Sequence, residues 1–168
     1  FFLVPLIDEI IEKQREDKLT SISNLMTAEQ QKEIGLYLMS AIGFDFSRGR
    51  LDTSQHPFCG GAYQDIRITT RYNENEPFSS LEGIMHETGH AMYELNLPKK
   101  WKYQPAGQSR GMAMHESQSL LIEMQITRSV AFKKFLSGIL KNNFNFTDKC
   151  WDFENIHKLG TRVNKSFI

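Results

Sequence analysis

The segment Gly83–Glu94, GIMHETGHAMYE, constrains this chain more than any other stretch. His86 and His90 stand four residues apart, so on a helix both imidazoles leave the same face about one turn apart. Ile84, Met85, Ala91, Met92 and Tyr93 make the segment apolar nearly all round. Such a helix belongs in a core, and burying two histidines and a glutamate without partners is costly. Two imidazoles at this spacing suit one zinc ion, and Glu87 can lean over the open side as a general base toward an activated water. The bland alternative is two exposed histidines on a solvated face, and the apolar flanks weigh against it.

A catalytic zinc usually takes three protein ligands and keeps one open position. Downstream candidates for the third are Glu94, His115, Glu116 and Glu123. MAMHESQSLLIE sets Glu116 among apolar residues, where a carboxylate needs a partner; a divalent cation would serve, and so would a surface lysine. His115 points about 100° round the helix from Glu116, toward either an oxyanion contact or a satisfied half-buried site. Glu123, seven residues on, and Glu94, four after His90, are candidates for orienting a ligand histidine from behind.

The remaining pattern is mostly helical. Residues 6–18 place Leu6, Ile7, Ile10 and Ile11 on one face, and Thr27 with Gln30 forms a capping box for a second helix that stops near Gly43. Residues 45–77 change character: YQDIRITTRY reads as a strand, with a second strand predicted near QHPF. Asp65, Arg67 and Thr69 fall on one strand face, and Ile66, Ile68 and Thr70 on the other. DIRIT is expected to run along a groove where an extended peptide could pair. Helices follow over about 78–97 and 111–142, and a last one from Lys149 stays amphipathic through RVNKSFI.

A chain of 168 residues suggests one domain with a real core. Twenty basic and twenty acidic residues give no net charge, so nothing points to nucleic acid or a membrane surface. No apolar run approaches the ~18 residues of a membrane helix, and FFLVPLI lacks the features of a signal peptide. Cys59 and Cys150 form no dense framework and read as reduced thiols in a cytoplasmic protein.

HPF (56–58), DIRIT (65–69), HETGH (86–90) and HESQ (115–118) occur in that order. Together they resemble the thermostable zinc carboxypeptidases of the Taq type, whose motifs are HPF, DxRxT, HExxH and HES/GQ. The resemblance covers nearly all of 45–168. It implies His86, His90 and Glu116 as metal ligands and Glu87 as base and proton shuttle. It raises His115 as a catalytic hydrogen-bond donor and His56, Asp65 and Arg67 as substrate-binding or site-wall residues. It implies Zn2+, with Co2+ or another divalent cation as alternatives. The implied activity is release of single residues from peptide C-termini with broad specificity, in a cytoplasmic homodimer. The implied fold is mainly α, zincin-like, with a small sheet beside the active-site helix. The family's members run longer, and Ile168 matches the first residue of a further motif. The chain is therefore expected to be an incomplete domain: a helical segment 1–44, a strand-and-loop segment 45–77 and metal-site helices 78–168. Arg67, Arg71, Arg110 and Arg128 are all available to hold a terminal carboxylate, and spacing selects none. A metalloendopeptidase and an inactive metal-binding fragment are the rival readings.

Overall fold

The structure is a computed structural model that describes residues 3–22 and 26–165. The expected motif start at Ile168, and the tail from Ser166, lie outside the described residues. In chain order the elements are α1 (Leu3–Gln14), α2 (Ala28–Ala41), β1 (Gly49–Thr53), β2 (Phe58–Ala62), β3 (Asp65–Thr70), α3 (Pro77–Leu95), α4 (Met112–Leu120), a π-helical segment (Leu121–Thr127), α5 (Val130–Phe144) and α6 (Phe153–Gly160). Among the described residues the chain is mainly helical with one small sheet. No helix among the described residues is long and apolar enough to cross a membrane.

These elements form two compact units, Asn24–Thr127, and Phe1–Ser23 with Arg128–Ile168. The division falls inside both expected helical segments. In the first unit, α2 starts on the predicted capping box: Thr27 accepts from the Gln30 amide, and the Gln30 side chain accepts from the Thr27 amide. Helix α3 packs on α2 and on the sheet. Ile34, Leu38, Leu51, Ile66, Ile68, Leu81, Ile84 and Met85 are buried. The sheet order is β1-β3-β2, with β1 parallel and β2 antiparallel to β3. The predicted faces of β3 hold: Ile66, Ile68 and Thr70 are buried while Asp65 and Arg67 are exposed.

The strand corrects one expectation. DIRIT is the central strand, paired on both sides, so it cannot accept a peptide as a further strand. Among the described residues the free edges belong to β1 and β2.

The long helix expected over 111–142 is also divided. It passes from α4 into a π-helical segment and stops before Ser129, whose side chain caps α5 by accepting from the Phe132 amide at 3.1 Å. A serine that satisfies a free amide favours a helix start over a helix interior. In the second unit, α5 and α6 enclose Leu136, Ile139, Leu140, Trp151 and Ile156, with the rings of Phe146 and Trp151 4.8 Å apart. The last helix begins at Phe153, after a 3-10 turn over Lys149–Trp151, and ends at Gly160. It does not continue through Arg162, because the chain there bonds elsewhere. The Gln14 side chain donates to the Val163 carbonyl at 2.9 Å and accepts from the Val163 amide at 2.7 Å.

Candidate metal centre

Helix α3 carries His86, Glu87 and His90 from a buried surface: Glu87 is 8% exposed and His90 9%. Helix α4 crosses beside it and brings Glu116. Gly89, inside the HETGH motif, sets that approach. A Cβ at this position would stand 2.6 Å from the Ser119 Cα and 2.8 Å from the Gln118 carbonyl, so any other residue would push α4 away.

The result is a convergent donor set. His86 Nε2 lies 3.7 Å from Glu116 Oε1, and His90 Nε2 lies 3.2 Å from Glu116 Oε2. One ligand atom from each of the three side chains falls within 4.8 Å of the others. Tetrahedral zinc with ~2.0–2.1 Å bonds holds its ligand atoms about 3.3 Å apart, so the spacing fits a small divalent ion.

The second ring nitrogen of each histidine is engaged. His86 Nδ1 lies 2.8 Å from Glu123 Oε2. With its proton on Nδ1 and donated to that carboxylate, His86 presents a lone pair on Nε2 toward Glu116. His90 Nδ1 lies 2.6 Å from His115 Nδ1, and His115 Nε2 lies 2.8 Å from Glu94 Oε1. Two of the three groups are imidazoles whose free lone pairs face a carboxylate, which is the donor chemistry a borderline-soft cation takes.

Burial pushes the Glu87 carboxyl above the usual range. His86 pulls it back, Glu116 adds to the rise, and His115 lowers it again. Such a group holds a proton more readily than a solvated glutamate, which suits a carboxylate that must both take and give one. The hydrogen bond to Glu123 raises His86, while burial lowers His90.

A cleft of about 370 Å³ opens over Glu87, His90 and His115 and is walled by Pro57, Phe58, Cys59 and Met112. Three of those wall residues come from the end of the HPF segment and the edge strand β2. The HPF resemblance implies His56 as a substrate-binding or wall residue. Instead its side chain is exposed, and its backbone carbonyl accepts from Ser54 and Thr69. Cys59, a reduced thiol, also stands in the wall: burial, then Glu87 and Glu94, push it up to about 12, so it is uncharged there. Asp65 and Arg67 lie on the strand face opposite the buried one, bonded to each other at 2.8 Å and not among the cleft's lining residues.

Known proteins resemble the chain along its length. The family model of the Carboxypeptidase Taq (M32) metallopeptidase matches residues 2–168. The thermostable carboxypeptidase 1 of Thermus thermophilus is 38% identical over 76% of this chain and 25% of its own length. That of Pyrococcus furiosus is 33% identical over 99% of this chain and 34% of its own. Among solved structures, metallocarboxypeptidase 1 of Trypanosoma cruzi superposes with a TM-score of 0.91 at 39% identity. That match covers 96% of this chain and 33% of the other. The chain thus spans about a third or less of the length of these relatives.

Proposed function

The chain belongs to the Carboxypeptidase Taq (M32) metallopeptidase family, and from that premise we propose that it carries the metal centre of a carboxypeptidase releasing C-terminal residues from peptides. His86, His90 and Glu116 hold the ion, zinc in the first instance. The observation that carries this reading is the convergence of both Nε2 atoms on the Glu116 carboxylate, at 3.7 and 3.2 Å, beside a buried Glu87. A bound divalent ion would polarise the scissile carbonyl and acidify an attacking water.

The chain's own residues do the rest. Glu87 takes the proton of the attacking water as its oxygen bonds to the carbonyl carbon. The same carboxyl then gives that proton to the departing nitrogen as the C–N bond breaks, leaving a carboxylate and an amine. Its raised affinity for a proton serves both halves. Glu123 keeps the His86 ring oriented, and Pro57, Phe58 and Cys59 wall the cleft above Glu87. Broad residue preference, the grip on the substrate's terminal carboxylate and a homodimeric state belong to the whole protein and come with the family resemblance. A cytoplasmic location fits the two free cysteines.

The test is mass spectrometry of a free-ended peptide incubated with the whole protein and Zn2+ or Co2+. A ladder of losses from the C-terminus is expected. Internal cuts, unchanged when the peptide's C-terminus is blocked, would replace this reading with an endopeptidase. Bound metal without cutting would leave only a metal-binding protein.

A further inference from the structure

Both nitrogens of His115 are already engaged. Nδ1 meets His90 Nδ1 at 2.6 Å, and Nε2 meets Glu94 Oε1 at 2.8 Å. The ring is also confined, 4.6 Å from the His90 ring and 5.3 Å, edge to face, from Tyr93. A donor to a substrate oxygen would have to abandon one of these contacts.

The protons can be ordered along the chain in only one way if His90 is to bind a metal through Nε2. His90 then keeps its proton on Nδ1 and donates it to His115 Nδ1. His115 must keep its own proton on Nε2, and that proton is donated to Glu94. The run ends on a carboxylate, which only accepts, so no group is left facing a like partner. On the other side of the site, His86 reaches a carboxylate directly through Glu123.

We infer that Glu94 and His115 form a two-member relay that fixes the tautomer and orientation of His90, making both of them positioning residues for the metal. This deepens the proposed metal centre and rests on it. The neutral His115 ring is by itself a weaker acceptor than a carboxylate. Glu94 at its far end polarises it, so the pair does for His90 what Glu123 does for His86.

The experiment measures Zn2+ affinity of the whole protein by chelator competition, together with the visible absorption of the Co2+ form and peptide turnover at saturating zinc. Circular dichroism checks that each variant is folded. Outer contacts of this kind are worth about 10–100-fold in metal affinity, so His115→Leu and Glu94→Leu are each expected to weaken zinc by that factor and to shift the Co2+ bands. Because the two act in series, the double variant should be no worse than His115→Leu alone. His115→Gln, whose amide can accept from His90 and donate to Glu94, should recover most of the loss; should His115→Leu fail to fold, His115→Gln and Glu94→Gln carry the test through the Co2+ bands. Unchanged zinc affinity and bands in the His115 and Glu94 variants, with affinity lost in Glu116→Ala, would overturn the relay and leave the metal centre standing. A fall in turnover at saturating zinc in those same variants would then assign His115 to the substrate. Unchanged affinity in Glu116→Ala as well would refute the metal centre, and the relay with it.

Discussion

Helix α3 and strand β3 each carry one of the chain's motifs, and their charged residues meet opposite fates. In HETGH the polar groups converge, with Glu87 and His90 buried and His86 half-buried: they share surroundings with Glu116, Glu123 and, through His115, Glu94. In DIRIT the buried face is apolar, and the charged residues point the other way. Asp65 and Arg67 stay more than half exposed and pair with each other. The cause is geometric. A four-residue step on a helix stacks two side chains on one face that can be wholly buried. A two-residue step on a strand also shares one face, but in β3 the face turned to α3 belongs to Ile66 and Ile68. One motif gathers side chains that could hold a metal ion; the other carries an exposed ion pair on the sheet beside it.

Substitutions can break that contrast or sharpen it. The largest effect is expected for Glu87→Gln in the whole protein. Turnover should fall by about 10²–10⁴-fold, the usual worth of a positioned acid–base group, while zinc content stays unchanged. Retained turnover would remove Glu87 from its role. Glu116→Ala should cost zinc affinity more than the roughly 10–100-fold that an outer contact is worth, read by the same chelator competition. An unaltered zinc affinity would remove Glu116 from the ligand set and refute the metal centre as proposed. Gly89→Ala adds only a methyl group, but that methyl would stand 2.6 Å from backbone of α4. Overpacking of this order costs about 1–3 kcal/mol, measurable by urea unfolding. Because the strain moves Glu116, zinc affinity should fall with it. A stability loss alone would show that α4 can shift without disturbing the donors.

The helix motif could be read from sequence because its chemistry is local. Spacing alone put His86 and His90 on one face, and the apolar flanks required partners for them. Thr27 with Gln30, and the alternation in DIRIT, were equally local. What escaped depended on contacts distant in sequence or on weak signals. Strand β1 offers a single buried apolar residue, Leu51, between charged neighbours, so no alternation announces it. The central place of β3 follows from β1 and was lost with it. The π-helical segment and the stop at Ser129 interrupt what reads as one continuous amphipathic helix. The pairing of His115 with Glu94, 21 residues apart, depends on how α4 lies across α3, which no periodicity encodes.

The smallest effect is expected in DIRIT, and its sign is set by the pair. Hydrogen bonds from Arg67 hold the Asp65 carboxyl below its ordinary value of 3.8. Between the ordinary and the lowered value the unfolded chain binds more protons than the folded one, so stability rises with pH through that window. The pair's contribution is thus present at neutral pH and is lost as pH falls below 3.8 through the lowered value. Asp65→Asn should remove this acid step from the unfolding midpoint. The amplitude should be slight and should shrink with added salt, because solvent and ions screen an exposed pair. Zinc affinity should not follow it, since neither residue lies with the donors or lines the cleft. The contrast between the two motifs fails if Asp65→Asn or Arg67→Ala, with zinc bound and the fold intact, lowers turnover of the whole protein as far as Glu87→Gln does. DIRIT would then act on substrate as the family resemblance implies, and its charges would reach the peptide from the sheet's other face.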